Sequence, residues 1–508
     1  MSVATLNQTR PKDALTGHVD VLIVGAGISG IGLGHYLTTM LPGKTFALAD
    51  GRDVIGGTWN LFRYPGIRSD SDLHTFGYEF KPWTNDNAIA DADEILDYLY
   101  EVIEENNLAS KIYLQHKVLR ADFDTDAAQW TVTLERDGTQ WEITCDFLFG
   151  ATGYYDYAGG YAPHFEGQED FEGRIVHPQA WPEDLDYRGK DVVVIGSGAT
   201  AVTLIPAMAD EAAHITMLQR SPSYVMPLPR KDPIANTLRK VLPAKAAYAV
   251  TRRFNIGRGR FIYNLCQKQP QLARKIIRSL NVRYLPEGYD VATHFNPAYN
   301  PWDQRLCAVP DADLFRVIGA GKASVVTDRI ARFTKTGVLL ESGREIKADV
   351  IVTATGLKLL PFGGIAVSVD GAAKNPHDSL VYKSFMLSDI PNLAFAFGYT
   401  NSSWTLKVDL VCEHLCRLLA YMDRHGFTTV TPVADDPHIQ RRPMLDFSAG
   451  YIQRAIEAFP QQGTSGPWTI EMDYWSDHSR LRKGPVEDPA LRFSTATRAT
   501  ATAGAATA

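Results

Sequence analysis

Three glycines near the start of the chain, Gly25, Gly27 and Gly30, follow a short β-branched run and precede a helix-like stretch. A strand, a tight turn and a helix are therefore predicted. In such a turn the first glycine permits the bend, the second lets a pyrophosphate approach the backbone, and the third lets the helix pack on the strand. Because a helix N-terminus attracts phosphate charge, these residues predict a dinucleotide site.

A second apolar strand, predicted over residues 45–49, ends in Asp50, which lies 25 residues beyond the first glycine. A carboxylate there can accept hydrogen bonds from an adenosine ribose. The alternative is a glycine-rich turn with a surface aspartate. Segment 56–66, GGTWNLFRYPG, offers free backbone amides and the flat side chains of Trp59 and Tyr64 to a ring system. By itself, this segment could also be a core-packing loop.

The same pattern returns in residues 196–202, GSGATAV, which follow a buried strand predicted over 191–195, with alanine in place of the third glycine. The next strand, 215–219, ends in Arg220 and Ser221 instead of an acid. A cation and a hydroxyl at the ribose-facing position suit a 2′-phosphate, so NADP is favoured over NAD. The alternative is that Arg220 is merely solvated.

A hairpin, a buried strand and the tripeptide Ala-Thr-Gly occur together twice, ending at residues 151–153 and 354–356. This repeat predicts an α/β chain with two Rossmann-like dinucleotide-binding domains, for FAD and for NADP, the second inserted in the first. The predicted boundaries are 1–155 and 351–490 for the FAD-binding domain, 156–222 and 300–350 for the NADP-binding domain, 223–299 for a basic helical insert, and 491–508 for a disordered tail.

Composition restricts the remaining possibilities. The 508 residues suffice for two or three compact units, and a net charge of −7 gives no electrostatic reason to bind nucleic acid. Five sparse cysteines argue against a disulfide framework and for a reducing cytoplasm, which the lack of a signal-peptide pattern or a long apolar span also favours. Cys412, His414 and Cys416 lie in a predicted buried helix without a second ligand pair, so no metal site is predicted.

Charge reverses locally in the insert, where residues 230–283 hold fourteen Lys and Arg against one Asp. Leu272, Ile276, Ile277 and Leu280 recur at helical spacing among basic residues, which predicts an amphipathic basic helix. One interpretation is reversible attachment to an anionic membrane surface. The other is a solvated helical insert that covers the active site.

Between the two halves stands the fingerprint Phe171-x-Gly173-x-x-x-His177-x-x-x-Trp181. With both glycine motifs it resembles the Baeyer–Villiger monooxygenases, whereas the related sulfur- and nitrogen-oxidising flavin monooxygenases usually have Phe or Tyr at the last position. The resemblance covers roughly residues 19 to 490. It is closest to the ethionamide-activating subgroup through RYPGIRSDSD, LPEGYD, NPWDQRLC and GYTNSSWTLK.

The resemblance implies where the cofactors bind. For FAD the implied contacts are Ser29, Asp50, Gly57, Thr58, Trp59, Asn60, Leu61, Asp70 and the backbone of Val118. For NADP they are Gly196, Ser197, Gly198, Ala199, Thr200, Ala201, Val202, Arg220 and Ser221. Arg68 and Ser69 lie where the family lets the nicotinamide nucleotide reach the flavin. Arg305 resembles the active-site arginine, with Asp70 as its expected partner, while Gln304 replaces the lysine that many members use for the 2′-phosphate.

The implied reaction is reduction of FAD by NADPH, formation of a C4a-peroxyflavin with O2, and its attack on a ketone to give an ester or lactone, with Arg305 stabilising the anion. Sulfides and thioamides would be S-oxygenated at the same site. Alternatives are a heteroatom-oxidising flavin monooxygenase without ketone activity and a non-enzymatic flavin redox sensor. A flavin disulfide reductase would need paired redox cysteines, and the sequence has no C-x-x-C or C-x-x-x-x-C.

Overall fold

The computed structural model describes residues 13–304, 306–445 and 449–496. Within these ranges, the α-helices in chain order are α1 (Ile28–Met40), α2 (Thr58–Leu61), α3 (Leu73–Phe76), α4 (Ala92–Glu105), α5 (Ala199–Met208), α6 (Pro233–Val241), α7 (Ala244–Lys268), α8 (Pro270–Tyr284), α9 (Val291–His294), α10 (Asp313–Gly319), α11 (Trp404–His425), α12 (Gly450–Gln453) and α13 (Tyr474–Asp477).

The strands of the same ranges are β1 (His18–Val24), β2 (Phe46–Asp50), β3 (Ile112–Leu114), β4 (Lys117–Asp124), β5 (Gln129–Arg136), β6 (Thr139–Gly150), β7 (Arg174–Val176), β8 (Asp191–Ile195), β9 (His214–Gln219), β10 (Val225–Leu228), β11 (Cys307–Pro310), β12 (Ala323–Thr327), β13 (Ile330–Thr334), β14 (Gly337–Leu340), β15 (Glu345–Lys347), β16 (Val350–Thr353), β17 (Ala366–Val369), β18 (Ala372–Lys374), β19 (Val381–Tyr382), β20 (Met386–Leu387), β21 (Leu393–Phe395), β22 (Thr429–Pro432), β23 (Arg441–Pro443), β24 (Gln461–Gly463) and β25 (Leu491–Ser494).

The first sheet combines strands from both ends of the chain. Its parallel centre places β1 between β2 and β6, with Val21 opposite Phe46 and Phe147. β1 is buried on both faces from Val21 to Val24, which is why the strand is a continuous apolar run without alternation. β4, β5 and β6 are antiparallel, and the predicted hairpin pairs Trp130 with Cys145. After the insertion, β21 returns to pair with β6 in parallel.

The second sheet has the order β12-β9-β8-β16-β7, and its neighbouring strands are all parallel. Helix α5 connects β8 to β9, and β13, β14 and β15 form the second antiparallel hairpin that the repeat predicts. These two sheets confirm the predicted α/β architecture with a second Rossmann-like domain inserted in the first.

Two predicted boundaries are wrong. The second domain does not stop at residue 350, because Val350–Thr353 forms β16 and is buried between β8 and β7. The tail does not begin at residue 491, because Leu491 and Phe493 belong to β25, which pairs antiparallel with β22. Leu491 is buried, so these residues contribute to the core. Residues 497–508 lie outside the described residues.

The chain enters and leaves the second domain through two linkers that lie side by side. The amide of Asp156 donates to the carbonyl of Lys358 at 2.9 Å, and the amide of Tyr161 donates to the carbonyl of Gly356 at 3.0 Å. Tyr155 forms a further bridge with Leu359. The two linkers therefore form one hydrogen-bonded tether between the domains.

The insert is helical, with α6 to α9 following β10, and β10 itself pairs with β11 of the second domain. The helix predicted around Ile277 is α8, in which Ile277 is buried while Leu272 and Ile276 are 45% and 43% exposed. Its apolar face is therefore only partly covered. No helix in the described part of the chain is both long enough and apolar enough to span a membrane.

A buried arginine attaches the insert to the FAD-binding domain. Arg252 of α7 lies 2.9 Å from the Asp409 carboxylate of α11, and both side chains are almost fully buried. Its second amino group donates to the carbonyls of His74, Thr75 and Gly77 around the end of α3. The guanidinium thus neutralises a buried carboxylate and donates to carbonyls at the end of α3, two of which, those of Thr75 and Gly77, also accept from the hydroxyl of Thr405.

We expect Arg252→Met to lower the free energy of unfolding by roughly 3–5 kcal/mol, because Asp409 would remain buried without its cation. Urea unfolding followed by circular dichroism measures the change. Arg253→Met is the matched control, since Arg253 is the next residue of the same helix but is exposed; that change should stay within about 0.5 kcal/mol. Equal losses in the two variants would show that the buried pair is not what secures the insert.

Candidate functional site

The first glycine loop has the backbone geometry that the sequence predicts. Gly25 has a φ of +113°, and a Cβ added there would lie 2.5 Å from the carbonyl oxygen of Ala151. A Cβ at Gly30 would collide with the carbonyl oxygen of Gly25, so α1 can approach the turn only if it carries glycine there. Helix α1 then begins one residue after Gly27. The loop therefore presents bare backbone and a helix N-terminus to a ligand phosphate.

Asp50 ends β2 and lies against this loop. One carboxylate oxygen accepts from the amide of Ala26 at 2.8 Å, and the other accepts from the amide of Arg52 at 2.9 Å. Burial raises the pKa of Asp50 above its usual value, although both amides favour the charged form. Since each carboxylate oxygen can accept a second hydrogen bond, the group can still receive ribose hydroxyls.

The aromatic segment 56–66 lies against the first glycine loop. A Cβ on Gly57 would lie 3.3 Å from the Cα of Gly27, and α2 starts directly after Gly57. Asn60 is buried, whereas Thr58, Trp59 and Leu61 are partly buried. The predicted segment and the predicted glycines thus form the two walls of one cleft.

Two residues that the sequence did not single out also line this cleft. Arg52 donates to the carbonyl of Gly57 at 3.2 Å and to the Asn60 side chain at 3.0 Å. Its guanidinium lies 5.6 Å from the ring centroid of Tyr157, whose pKa burial raises to about 12. For Arg52, its position two residues after Asp50 was the one local feature that could have indicated a role in this cleft. Tyr157 comes from a linker more than a hundred residues away.

Ser29 lies in the first turn of α1, and Val118 lies in β4. The Ser29 hydroxyl accepts a hydrogen bond from the indole nitrogen of Trp404 at 2.9 Å, which brings the start of α11 against the start of α1. Val118 is buried in β4, next to a stretch whose His116 amide donates to the carbonyl of Asp50 at 2.8 Å. Trp404 is a further candidate site residue, which the sequence offered only as part of the motif GYTNSSWTLK.

The second glycine loop repeats the first. Gly196 has a φ of +137°, and a Cβ there would collide with the carbonyl oxygen of Ala354, which corresponds to Ala151 in the repeat. Ala201, in place of the third glycine, is fully buried. The Ser197 hydroxyl is 2.8 Å from that of Ser223. Helix α5 starts at Ala199 and carries the remaining predicted residues, Thr200 and Val202.

Arg220 and Ser221 follow the carboxyl end of β9 and are exposed. No residue in the described ranges forms an ion pair or a hydrogen bond with the Arg220 side chain. The carboxyl end of a strand next to the glycine-loop strand is where an adenosine ribose binds in Rossmann-like domains. An unpaired guanidinium at this edge can receive a phosphate without breaking an existing contact.

Segment 64–70 connects the two cofactor clefts. The hydroxyl of Tyr64 is hydrogen bonded to Thr200 at the start of α5, and burial raises the pKa of Tyr64 to about 12. A Cβ on Gly66 would lie 2.5 Å from the Cβ of Ala207 on the same helix. The FAD-binding domain therefore contacts the second nucleotide helix directly through this segment.

Farther along this segment, Ser69 is buried and its hydroxyl accepts from the amide of Ala90 at 3.1 Å, whereas Asp70 is exposed and accepts from the hydroxyl of Ser71. Arg305 lies outside the described residues, so the expected pairing of Asp70 with Arg305 stays a prediction. Gln304, next to it, is described and partly buried.

The fingerprint residues hold the interdomain tether. His177 contacts the carbonyl of Gly356 through Nε2 at 3.2 Å, and a Cβ at Gly160 in the other linker would collide with its ring. Gln179, inside the fingerprint, donates to the carbonyl of Asp156 at 2.7 Å. Burial lowers the pKa of His177, so the ring is neutral at physiological pH. This segment therefore links both linkers with uncharged hydrogen bonds.

The outer fingerprint residues belong to the second domain. Phe171 is buried, and a Cβ at Gly173 would collide with the carbonyl of Asp349 just before β16. Trp181 is partly buried and packs against the apolar core around β8 and α5. The outer residues of the fingerprint thus contact the second domain, and His177 between them contacts the tether.

Comparisons with known proteins agree with this geometry. Residues 76–375 match the family described as flavin-binding monooxygenase-like, and residues 23–87 match an NAD(P)-binding Rossmann-like domain. The FAD-containing monooxygenase EthA of Mycobacterium tuberculosis is 51% identical over 481 residues, covering 94% of this chain and 98% of the relative. The probable FAD-binding monooxygenase AlmA of Acinetobacter baylyi is 47% identical and covers 94% of this chain and 96% of its own length.

Among solved structures, an oxidised steroid monooxygenase bound to NADP superposes with a TM-score of 0.75 at 21% identity, covering 94% of this chain and 100% of that one. At this identity the likeness concerns the fold. The two glycine loops, the tether and the fingerprint therefore occur in a chain whose fold matches that of this monooxygenase structure over nearly all of its length.

Proposed function

This chain belongs to the flavin-binding monooxygenase-like family, and we propose that it inserts one oxygen atom of O2 next to a ketone carbonyl to give an ester or lactone. The balanced reaction converts ketone, O2, NADPH and a proton into ester, NADP⁺ and water. The chain is a monooxygenase that uses FAD and NADP(H). We propose that sulfides and thioamides are oxygenated at the same site.

The residues present fit both cofactors. Gly25 and Gly196 each face a carbonyl so closely that no side chain could be accommodated, which leaves bare backbone for a pyrophosphate in each domain. Asp50 provides a carboxylate in the first site, and Arg220 provides a cation in the second. Bound FAD supplies the reactivity towards O2 that side chains lack.

The protein's own groups position the reactants. Thr58, Trp59, Asn60 and Leu61, with Gly57, would hold the flavin, while Arg68 and Ser69 would receive the nicotinamide nucleotide. Arg305 would stabilise the negative charge that develops during oxygen insertion, because a guanidinium stays charged and offers several donors. Asp70 would orient Arg305. These roles are supported by the motif resemblance and by the positions of the adjacent residues described above.

The observation that carries the ketone proposal is the complete fingerprint ending in Trp181, since heteroatom-oxidising relatives usually have Phe or Tyr there. The holoenzyme should therefore be incubated with NADPH, isotopically labelled O2 and a panel of ketones and sulfides, and the products analysed by mass spectrometry. Esters with one labelled oxygen would support the proposal. Sulfoxides without esters would instead indicate a heteroatom monooxygenase, and NADPH-independent flavin chemistry without products would indicate a redox sensor.

We expect Arg220→Ala to reduce kcat/KM with NADPH by roughly ten- to a hundredfold and to spare NADH, because a charge-assisted hydrogen bond to phosphate is worth about 1.5–3 kcal/mol. Steady-state kinetics with both nucleotides measures this selectivity. Lys322→Ala is the matched control, since Lys322 is an exposed cation of the same domain that precedes β12, at the opposite end of the parallel sheet. Equal losses with NADPH and NADH would show that Arg220 is structural.

We also propose that the enzyme acts in the cytoplasm and contacts an anionic membrane peripherally through α7. Val250, Phe254 and Phe261 are 46%, 48% and 68% exposed, and their spacing places them on one stripe of the helix. Arg253 and Arg258 flank this stripe and form no ion pair within the described ranges. An exposed apolar stripe with basic flanks is typical of helices that lie in a lipid interface.

Sedimentation with vesicles tests this contact. We expect binding to vesicles that contain phosphatidylglycerol and little binding to pure phosphatidylcholine, and Phe254→Ser with Phe261→Ser should abolish the difference. Met40→Ser, which alters an exposed apolar residue at the end of α1, should bind like the parent. Unchanged binding by the double variant, or a dimer that the double variant dissociates, would reject the lipid interpretation.

A further inference from the structure

An ion pair joins the FAD-binding domain to the second domain beside the nucleotide helix. The Nη1 atom of Arg68 lies 2.5 Å from Oδ2 of Asp313, the first residue of α10. The two side chains are 9% and 18% exposed, so solvent screens the pair little. The pair connects the segment that contains Asp70 to a helix 245 residues further along the chain.

Local backbone contacts also fix the carboxylate of Asp313. The other oxygen of Asp313 accepts from the amide of Leu314 at 2.8 Å. The two residues that precede it, Asp311 and Ala312, have φ angles of +51° and +57°, which side-chain-bearing residues rarely adopt. Strained backbone of this kind persists where the surrounding structure requires one particular placement. Here that placement directs Asp313 towards the other domain.

Arg68 keeps one donor free. Its Nη2 atom is buried and has no hydrogen-bond partner within the described ranges. The neighbouring residues Tyr64 and Gly66 contact Thr200 and Ala207 of α5, so the guanidinium lies next to the helix that begins at the second glycine loop. A buried guanidinium donor without a protein acceptor is unfavourable unless a ligand or water oxygen completes it.

We propose that Asp313 is a positioning residue for nucleotide binding. It holds Arg68 through Nη1, so that Nη2 donates to an oxygen of the nicotinamide nucleotide at the junction of the two domains. This inference rests on the proposed function, in which Arg68 and Ser69 receive the nicotinamide nucleotide. It adds to that proposal a residue in the second domain that acts only through Arg68.

Calorimetric titration of the FAD-loaded protein with NADP⁺ tests the pair without turnover. We expect Asp313→Asn to raise the dissociation constant about tenfold, because Arg68 loses its charged anchor. The FAD content and the rate of flavin reduction by dithionite should stay at parent values. Asp313→Glu should recover part of the affinity, and Arg68→Ala combined with Asp313→Asn should bind no more weakly than Arg68→Ala alone.

Asp184→Asn is the matched control, since it removes an Arg–Asp pair of the same domain that is exposed. Parent affinity in Asp313→Asn, or additive losses in the double variant, would overturn the positioning role. A loss of FAD or a changed dithionite rate in Asp313→Asn would show a structural role instead. Failure of the parent protein to bind NADP⁺ would overturn the proposed function itself, which separates the two ideas.

Discussion

Gly25→Val is expected to yield a protein without bound FAD and therefore without any flavin-dependent activity. The valine would have to adopt a φ of +113°, and its Cβ would start 2.5 Å from the carbonyl oxygen of Ala151. Neither backbone can move away easily, because the amide of Gly25 is bonded to Ala49 and that of Ala151 is bonded to Val24. The ratio of flavin absorbance to protein absorbance measures the loss directly.

Two further glycine variants serve as controls for the loss of FAD. Gly138→Val at the tip of the β5–β6 hairpin also requires a positive φ, +77°, but a Cβ there meets nothing within 4 Å, so FAD should be retained. Gly196→Val should lose NADP⁺ binding and keep FAD, since it obstructs the equivalent turn of the other domain. Full FAD content in Gly25→Val would reject the first loop as the flavin site.

The second large effect is expected for Arg305→Ala, which should bind FAD and remain folded but form no ester from a ketone. Removing a group that stabilises developing negative charge costs about 3 kcal/mol or more, which is over a hundredfold in rate. NADPH should still be oxidised slowly, with O2 reduced to hydrogen peroxide. Product chromatography and a peroxide assay on the same sample measure both outcomes.

Neighbouring substitutions define what Arg305 contributes. Arg305→Lys keeps the charge but lacks the planar set of donors, so it should recover little ester formation. Gln304→Ala changes the adjacent residue and should leave ester formation close to the parent rate. Ketone oxidation near the parent rate in Arg305→Ala would remove this arginine from the mechanism and leave the ketone proposal resting on the fingerprint.

The sequence predicted the backbone geometry of both glycine loops because its requirements are local. A turn with positive φ that meets another backbone requires glycine, and the spacing to Gly30 or Ala201 follows from one helical turn. The positions of Asp50 and Arg220 were predictable for the same reason, since Asp50 ends β2 and Arg220 directly follows β9. Residues that act within a few positions of one another leave a pattern that can be recognised without the fold.

Contacts between distant segments left no such pattern. Tyr157 and Trp404 reach the proposed flavin cleft from a linker and from a late helix, and Asp313 meets Arg68 across the domain boundary. The boundary at residue 350 was wrong for a related reason. A buried β-branched strand such as β16 satisfies either sheet equally well, and only its neighbours β7 and β8 decide which sheet it joins.

The insertion of one domain in the other also sets an order of events during synthesis on the ribosome. Every strand of the second sheet lies between residues 174 and 353, so that domain can complete its core before the rest of the chain emerges. The FAD-binding half cannot, because Val21 and Ile31 share their core with Val408 and Leu415 of α11. The cleft between the first glycine loop and segment 56–66 therefore forms last, next to a second domain that is already folded, and a chain truncated before α11 would expose apolar surface and aggregate.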